Sequence, residues 1–132
     1  MEWYMQLDNK IFTIFKTKLN KALKSKYSDL YITDTDLNTT QALFPTVYFH
    51  VMSGLEVGED LDGGGVNAIL YTIQIEVSAK QQADVKNVMS EAISIMKSMH
   101  FSIPSMPEFL NVGNVYRQVA RVRRTIGAND TL

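Results

Sequence analysis

The chain contains no cysteine and only two histidines among its 132 residues. Without cysteine, a disulfide scaffold, a thiolate-bound zinc or iron–sulfur centre and thiol catalysis are excluded. His50 and His100 alone leave little for a histidine-rich metal site. No apolar run approaches about 18 residues, and residues 1–7 lack the charged and long apolar regions of a signal peptide. We therefore expect a soluble intracellular protein with no membrane partner.

Motifs that would signal catalysis or metal binding are also missing. Asp34, Asp36 and Asn38 have the spacing that opens an EF-hand calcium loop. The sixth and twelfth positions of that loop need glycine and glutamate, whereas this chain has Thr39 and Pro45. No Gly-x-Ser-x-Gly motif occurs to supply an activated serine. The sequence predicts no enzyme, no cofactor and no metal. A small enzyme or ligand-binding domain is the alternative from another class, and it would need polar residues that converge in a pocket.

The length and hydrophobic content predict one domain across residues 1–132. At 14.9 kDa and 45% hydrophobic residues, the chain can bury one core but is too short for two of ordinary size. The patterns below predict the α+β class. We expect a small, mainly antiparallel sheet of four to five strands, packed with two amphipathic helices and carrying a long acidic, glycine-rich loop or β-arm.

Two segments show the three- and four-residue spacing of apolar residues that is typical of an amphipathic helix. They are residues 7–25 and residues 81–99. Packing against the core is the favoured interpretation of both apolar stripes. These stripes are Leu7, Ile11, Ile14, Phe15, Leu19, Ala22 and Leu23 in the first helix, and Val85, Val88, Met89, Ala92, Ile95, Met96 and Met99 in the second.

Alternation of apolar and polar residues, together with short apolar runs, predicts the strands. They cover residues 30–33, 46–52, 70–79, 101–103 and 115–126. We expect Pro104 and Pro107 to end the fourth strand. In the last strand, Arg117, Arg121 and Arg123 share one face, which predicts a basic side and an apolar side.

The segment between the second and third predicted strands, residues 53–67, is rich in glycine and in acids. It is too long and too rich in glycine for a tight hairpin, so we expect a mobile loop or an extended β-arm. Such a segment could become ordered against a partner. Residues 127–132 are expected to form a loose polar tail.

Charges nearly balance in total, at −1, but are segregated along the chain. Residues 10–26 contain six lysines and no acid, residues 27–79 contain eight acids and no Lys or Arg, and residues 117–124 contain four arginines. One interpretation is solvated surfaces whose charges happen to cluster. The other is head-to-tail self-association, in which the acidic and basic faces of neighbouring copies meet. The sequence leaves both interpretations open.

The lysine-rich helix and the arginine strand also suggest a nucleic-acid-binding module. Against it, the chain has no overall basic excess, and no aromatic residues for base stacking alternate with the arginines on their face of the strand. The arginines are better explained by contact with another protein. They could also line a channel through which nucleic acid passes without sequence-specific recognition. The module is kept as a further alternative.

The order of the predicted elements resembles that of the tail terminator and tail completion proteins of long-tailed bacteriophages. A helix and a short strand are followed by two long strands joined by the acidic segment, then by a helix and a final basic strand. Two stretches carry the resemblance, YTIQIEVSAKQQADVKNVMSEAISIMKSMHFSI (residues 71–103) and NVYRQVARVRRTIGANDTL (residues 114–132). Both are similar to minor structural proteins that are common in phages and prophages of Gram-positive hosts.

The resemblance implies a virion subunit that forms a ring, usually of six copies, at the head-proximal end of the tail. The ring would be assembled in the host cytoplasm, cap the tail tube protein, stop its elongation and join the tail to the head-side connector protein. The genome would pass through its channel. A head–tail connector or neck protein is the alternative within this class. Charge and exposure, rather than a family motif, predict these interface residues: Glu56, Glu59, Asp60, Asp62, Arg117, Arg121, Arg123 and Arg124.

Overall fold

The computed structural model describes residues 3–34, 44–52, 54–59, 66–111 and 113–132. Within these residues the chain forms two helices and six strands, which confirms the predicted α+β class. Neither of the two helices is long and apolar enough to cross a membrane. In chain order the elements are α1 (Leu7–Leu23), β1 (Tyr31–Thr33), β2 (Thr46–Val51), β3 (Leu55–Glu59), β4 (Val66–Ala79), α2 (Gln82–Ser98), β5 (Ser102–Phe109) and β6 (Tyr116–Gly127).

The six strands form one sheet with the order β1-β2-β4-β6-β5, in which β3 also pairs with β4. β1 and β2 are parallel, and every other pair is antiparallel. β2 lies opposite the second half of β4 and β3 lies opposite its first half. The two short strands therefore follow one another along one edge of β4, while β6 pairs with the other edge from Ala68 to Ala79.

The sheet has one strand more than the four to five that the sequence predicts. The additional strand is β3, which lies in the segment expected to be a mobile loop or β-arm and pairs with the start of β4. Its two glutamates and Gly58 are poor strand formers, so the residue pattern left a loop and a β-arm as alternatives for this segment. We call β3 together with residues 66–70 the arm. Residues 60–65 lie outside the described residues.

The register divides the sheet into two faces, because directly opposite residues in neighbouring strands point to the same side. On the helix face, Phe49, Ile75 and Ala120 lie in one row, and all three are buried. α1 packs here over β2, with 4.8 Å between the ring centroids of Phe15 and Phe49. α2 packs beside α1, over β4 and β6. The hydrophobic core therefore lies between this face and the two helices.

The opposite side of the sheet, which we call the open face, carries the row formed by Tyr48, Glu76 and Val119 and the residues in line with it. Neither α1 nor α2 packs on it. An antiparallel sheet tolerates such an arrangement, since one face on the core suffices to hold it. The open face is therefore where polar and charged strand residues accumulate.

The apolar stripes predicted for the helices are, with few exceptions, the residues that the helices bury. Ala22, at the end of α1, is exposed, and Ile14 is half-buried. The buried residues are Leu7, Ile11, Phe15, Leu19 and Leu23 in α1 and Val85, Val88, Met89, Ala92, Ile95 and Met96 in α2, followed by Met99.

α2 ends in a Schellman motif. The N–H of Phe101 donates to the carbonyl oxygen of Met96 at 3.0 Å, and the N–H of His100 donates to that of Lys97 at 2.9 Å. His100 has φ 67°, the left-handed conformation that this motif requires and that glycine adopts at lower cost. His100 is exposed at the helix end.

β5 differs from its prediction, because it continues through Pro104 and Pro107 to Phe109. It is the outermost strand, and an edge strand tolerates proline because one of its sides needs no hydrogen bonds. Its pairing with β6 is irregular around Ser105. The prediction that Pro104 and Pro107 end this strand is therefore wrong, because the sequence alone does not show that the strand lies at an edge of the sheet.

The C-terminal tail, predicted to be loose, makes several contacts. The N–H of Gly127 donates to the Asp130 carboxylate at 2.8 Å, and the Arg124 guanidinium donates to the carbonyl oxygen of Thr131 at 2.8 Å. Leu132 is partly buried and packs against the core. The tail therefore folds back onto the helix side of the sheet.

Candidate functional site

The predicted arginine row lies on the open face of β6. Arg117, Arg121 and Arg123 lie opposite Ser78, Gln74 and Thr72 of β4. Their predicted common face is confirmed by this register. Arg124 points to the other side, as the alternation requires, and its guanidinium donates to the carbonyl oxygen of Met99 at 2.8 Å. Arg124 therefore joins the end of α2 to the tail, whereas the other three arginines face away from the helices.

Arg117 forms a salt bridge with Glu76 of the neighbouring strand, the only one among the described residues. Glu76 is only 8% exposed, although it lies on the open face. Tyr48 and Val119 lie directly opposite it on either side. A carboxylate with so little access to water needs a charged partner, and Arg117 is that partner. The alternation placed Glu76 on the polar face, but the register that pairs it with Arg117 could not be read from the sequence.

A groove of about 400 Å³ crosses the open face between β4, β6 and β5. We call it the arginine groove. The Arg121 Nε–H donates to Oε1 of Gln74 at 3.1 Å, which fixes the guanidinium along the sheet. No carboxylate in the described part of the chain pairs with Arg121 or Arg123, and both are exposed. The walls of the groove include Arg117, Arg121, Gln74, Glu108, Ser105 and Leu110.

A second cleft, of about 490 Å³, lies on the helix face where β2, β3 and the start of α1 meet. Asp8 and Glu56 line it together with Tyr4 and Tyr71, and we call it the acidic cleft. The Tyr71 hydroxyl donates to the carbonyl oxygen of Tyr4 at 3.3 Å. Burial, and after it the negative charge of Asp8, raise the pKa of Tyr71 above its usual value of 10.

Gly54 permits the close packing of the cleft wall. A Cβ at this position would lie 2.7 Å from Cγ2 of Ile69 and 3.5 Å from the Tyr71 ring. Ile69 is buried, so its branched side chain has little room to give way. The glycine therefore lets the chain pass from β2 to β3 directly against β4.

The structure separates the predicted acidic and basic residues. Glu56 is exposed and points to the helix face, since it lies opposite Ile69, whereas the arginine row points to the open face. Glu59 belongs to β3, and Asp60 and Asp62 lie outside the described residues. Within one chain, therefore, Glu56 does not meet the arginine row.

Neither histidine belongs to a group of metal-ligating side chains among the described residues. His50 is exposed on the open face, where its Nδ1 lies 3.2 Å from the Tyr48 hydroxyl. No group of three or more metal-ligating side chains occurs in the described part of the chain. The candidate sites are instead two surface features, the arginine groove on the open face and the acidic cleft on the helix face.

No family model matches the chain, and no curated protein matches it.

Proposed function

We propose that this chain is a structural virion subunit, the tail terminator of a long-tailed phage. In this role it forms a ring that caps the tail tube, stops tube elongation and presents a surface to the head-side connector. The observation that carries the proposal is the open face, a charged sheet surface that neither helix covers and whose Arg121 and Arg123 have no carboxylate partner in the described chain. Unpaired guanidinium groups on a rigid sheet are suited to contact with another protein.

The arm supports the same role. The pairing of β3 with β4 extends to Glu59 and Val66. The pairing of β6 with β4 stops at Ala68, two residues short of Val66. The hairpin therefore extends two residues past the end of the pairing between β4 and β6. Leu55, at its base, is a large apolar side chain that is 61% exposed. An extended arm with an apolar base is a suitable element for reaching a neighbouring subunit or the tail tube.

The resemblance of residues 71–103 and 114–132 to tail terminator proteins supports the specific assignment. These residues form the second half of β4 with α2, and then β6 with the tail. They contain both the row of arginines and the residues that pair with it, so the resembling stretches coincide with the surface on which the proposal depends.

The test is deletion of the coding sequence from the phage or prophage that carries it, followed by electron microscopy of the particles. We expect overlong tails, or tails without heads, and loss of infectivity that the wild-type chain restores when supplied in trans. Tails of normal length that remain unattached to heads would assign the chain to the connector instead. Infectious particles with normal tails would refute the proposal.

A further inference from the structure

We infer that neighbouring copies of this chain meet face to back, with Arg121 and Arg123 of one copy bound at the acidic cleft of the next. This inference rests on the proposed role as a ring subunit and names the contact that would build the ring. The occupant of the arginine groove is thus a second copy of the same chain.

Charge complementarity is the first reason. Asp8 and Glu56 line the acidic cleft, and neither forms a salt bridge within the described residues. Among the described residues, the walls of the arginine groove carry two arginines, Arg117 and Arg121, and one carboxylate, Glu108, while Arg123 lies on the same face of β6. Each surface therefore has an excess of the charge that the other lacks, which favours their encounter and sets their register.

The chemistry of the two sites also matches. Gln74 occupies only the Nε–H of Arg121, so the terminal nitrogens of the guanidinium can donate to a carboxylate. The acidic cleft adds the rings of Tyr4 and Tyr71 to its carboxylates. Aromatic rings and carboxylates together are well suited to a guanidinium, because arginine both stacks on rings and donates paired hydrogen bonds.

Apolar side chains accompany both charged sites. Met5, on the wall of the acidic cleft, is 58% exposed, and Leu110, on the wall of the arginine groove, is 48% exposed. Stable protein interfaces combine buried apolar area with polar contacts of this kind. A contact between the two sites would cover both side chains.

The position of the sites determines the type of assembly. The acidic cleft is on the helix face and the arginine groove is on the open face, so they point in opposite directions. A rigid second copy cannot contact both sides of the sheet at once, so the contact is heterologous and continues from copy to copy. Such a contact closes into a ring if its rotation permits, which is the geometry that the proposed function needs.

The experiment is a charge exchange measured by light scattering at low salt. One variant carries Asp8→Lys and Glu56→Lys, and the other carries Arg121→Glu and Arg123→Glu. We expect the wild-type chain to assemble, and each variant alone to lose roughly tenfold or more in association constant. An equal mixture should assemble again, since each variant then offers the surface that the other needs. Lys18→Glu, an exposed charge reversal on α1, is the matched control and should assemble like the wild type.

Circular dichroism establishes that each variant is folded. Because Asp8→Lys also removes a favourable charge from the first turn of α1, Glu56→Lys alone replaces the double variant if that one unfolds. A wild type that is monomeric at low salt, a folded variant that assembles normally alone, or a mixture that does not assemble would each overturn the inference. The proposed function fails separately, through normal infectious particles after deletion, so either can stand without the other.

Discussion

Removing the Arg117 side chain should destabilise the protein more than removing any other arginine of the open face. In Arg117→Ala, the Glu76 carboxylate loses its salt-bridge partner while it remains 8% exposed. Losing one partner of a fully buried pair costs about 3–5 kcal/mol. The Arg117 side chain is 35% exposed, so water and salt already screen part of the interaction. We therefore expect a loss of about 2 kcal/mol in the free energy of unfolding.

Urea denaturation at pH 7 measures this loss directly, and thermal denaturation should show a fall of about 7 °C in Tm for a domain of this length. Arg121→Ala is the control, because Arg121 is exposed and should cost about 0.5 kcal/mol or less. Adding Glu76→Gln to Arg117→Ala removes the unpaired charge and should restore about half of the loss. A cost for Arg117→Ala as small as that of the control, or no recovery with Glu76→Gln, would refute the reasoning.

Three further predictions concern single positions. His100→Gly should raise the free energy of unfolding by about 1 kcal/mol in urea denaturation, because glycine adopts the left-handed conformation without strain; unchanged or lower stability would contradict this. Gly54→Ala should lower it by about 1–3 kcal/mol, since the new Cβ collides with Ile69, and a neutral effect would show that the strand junction can relax. The pKa of Tyr71 is raised on folding. The contribution of its neutral hydroxyl to the free energy of unfolding is therefore complete below about pH 10 and is lost as the pH rises through the pKa of the folded state. Tyr71→Phe should therefore lose less stability than the wild type does as the pH rises above about 10, and equal losses would rule Tyr71 out as the cause.

The helices and the two faces of the long strands could be predicted from the sequence. Amphipathic spacing fixes which side of α1 and α2 is buried, and the period of two fixes which residues of β6 face the helices. These are local properties, because they depend only on where a residue lies along its own element. The separation of Arg117, Arg121 and Arg123 from the apolar side of β6 follows from this rule alone.

The features that could not be predicted from the sequence depend on strand order and register. These are set by contacts between distant parts of the chain. The pairing of Glu76 with Arg117 requires β4 and β6 to be neighbours. The continuation of β5 through Pro104 requires it to be the edge strand. Likewise, the acidic cleft joins Asp8 of α1 to Glu56 of β3, two residues that nothing in the sequence connects.

The two prolines of β5 have a consequence for the protein in concentrated solution. Proline has no N–H, so Pro104 and Pro107 cannot donate to a strand added at the rim of the sheet, and the irregular pairing around Ser105 disturbs the line of the remaining groups. Each molecule is thus protected at this border against fibril growth by strand addition. At high concentration, copies of the chain are therefore hindered from pairing along β5 into a continuous intermolecular sheet.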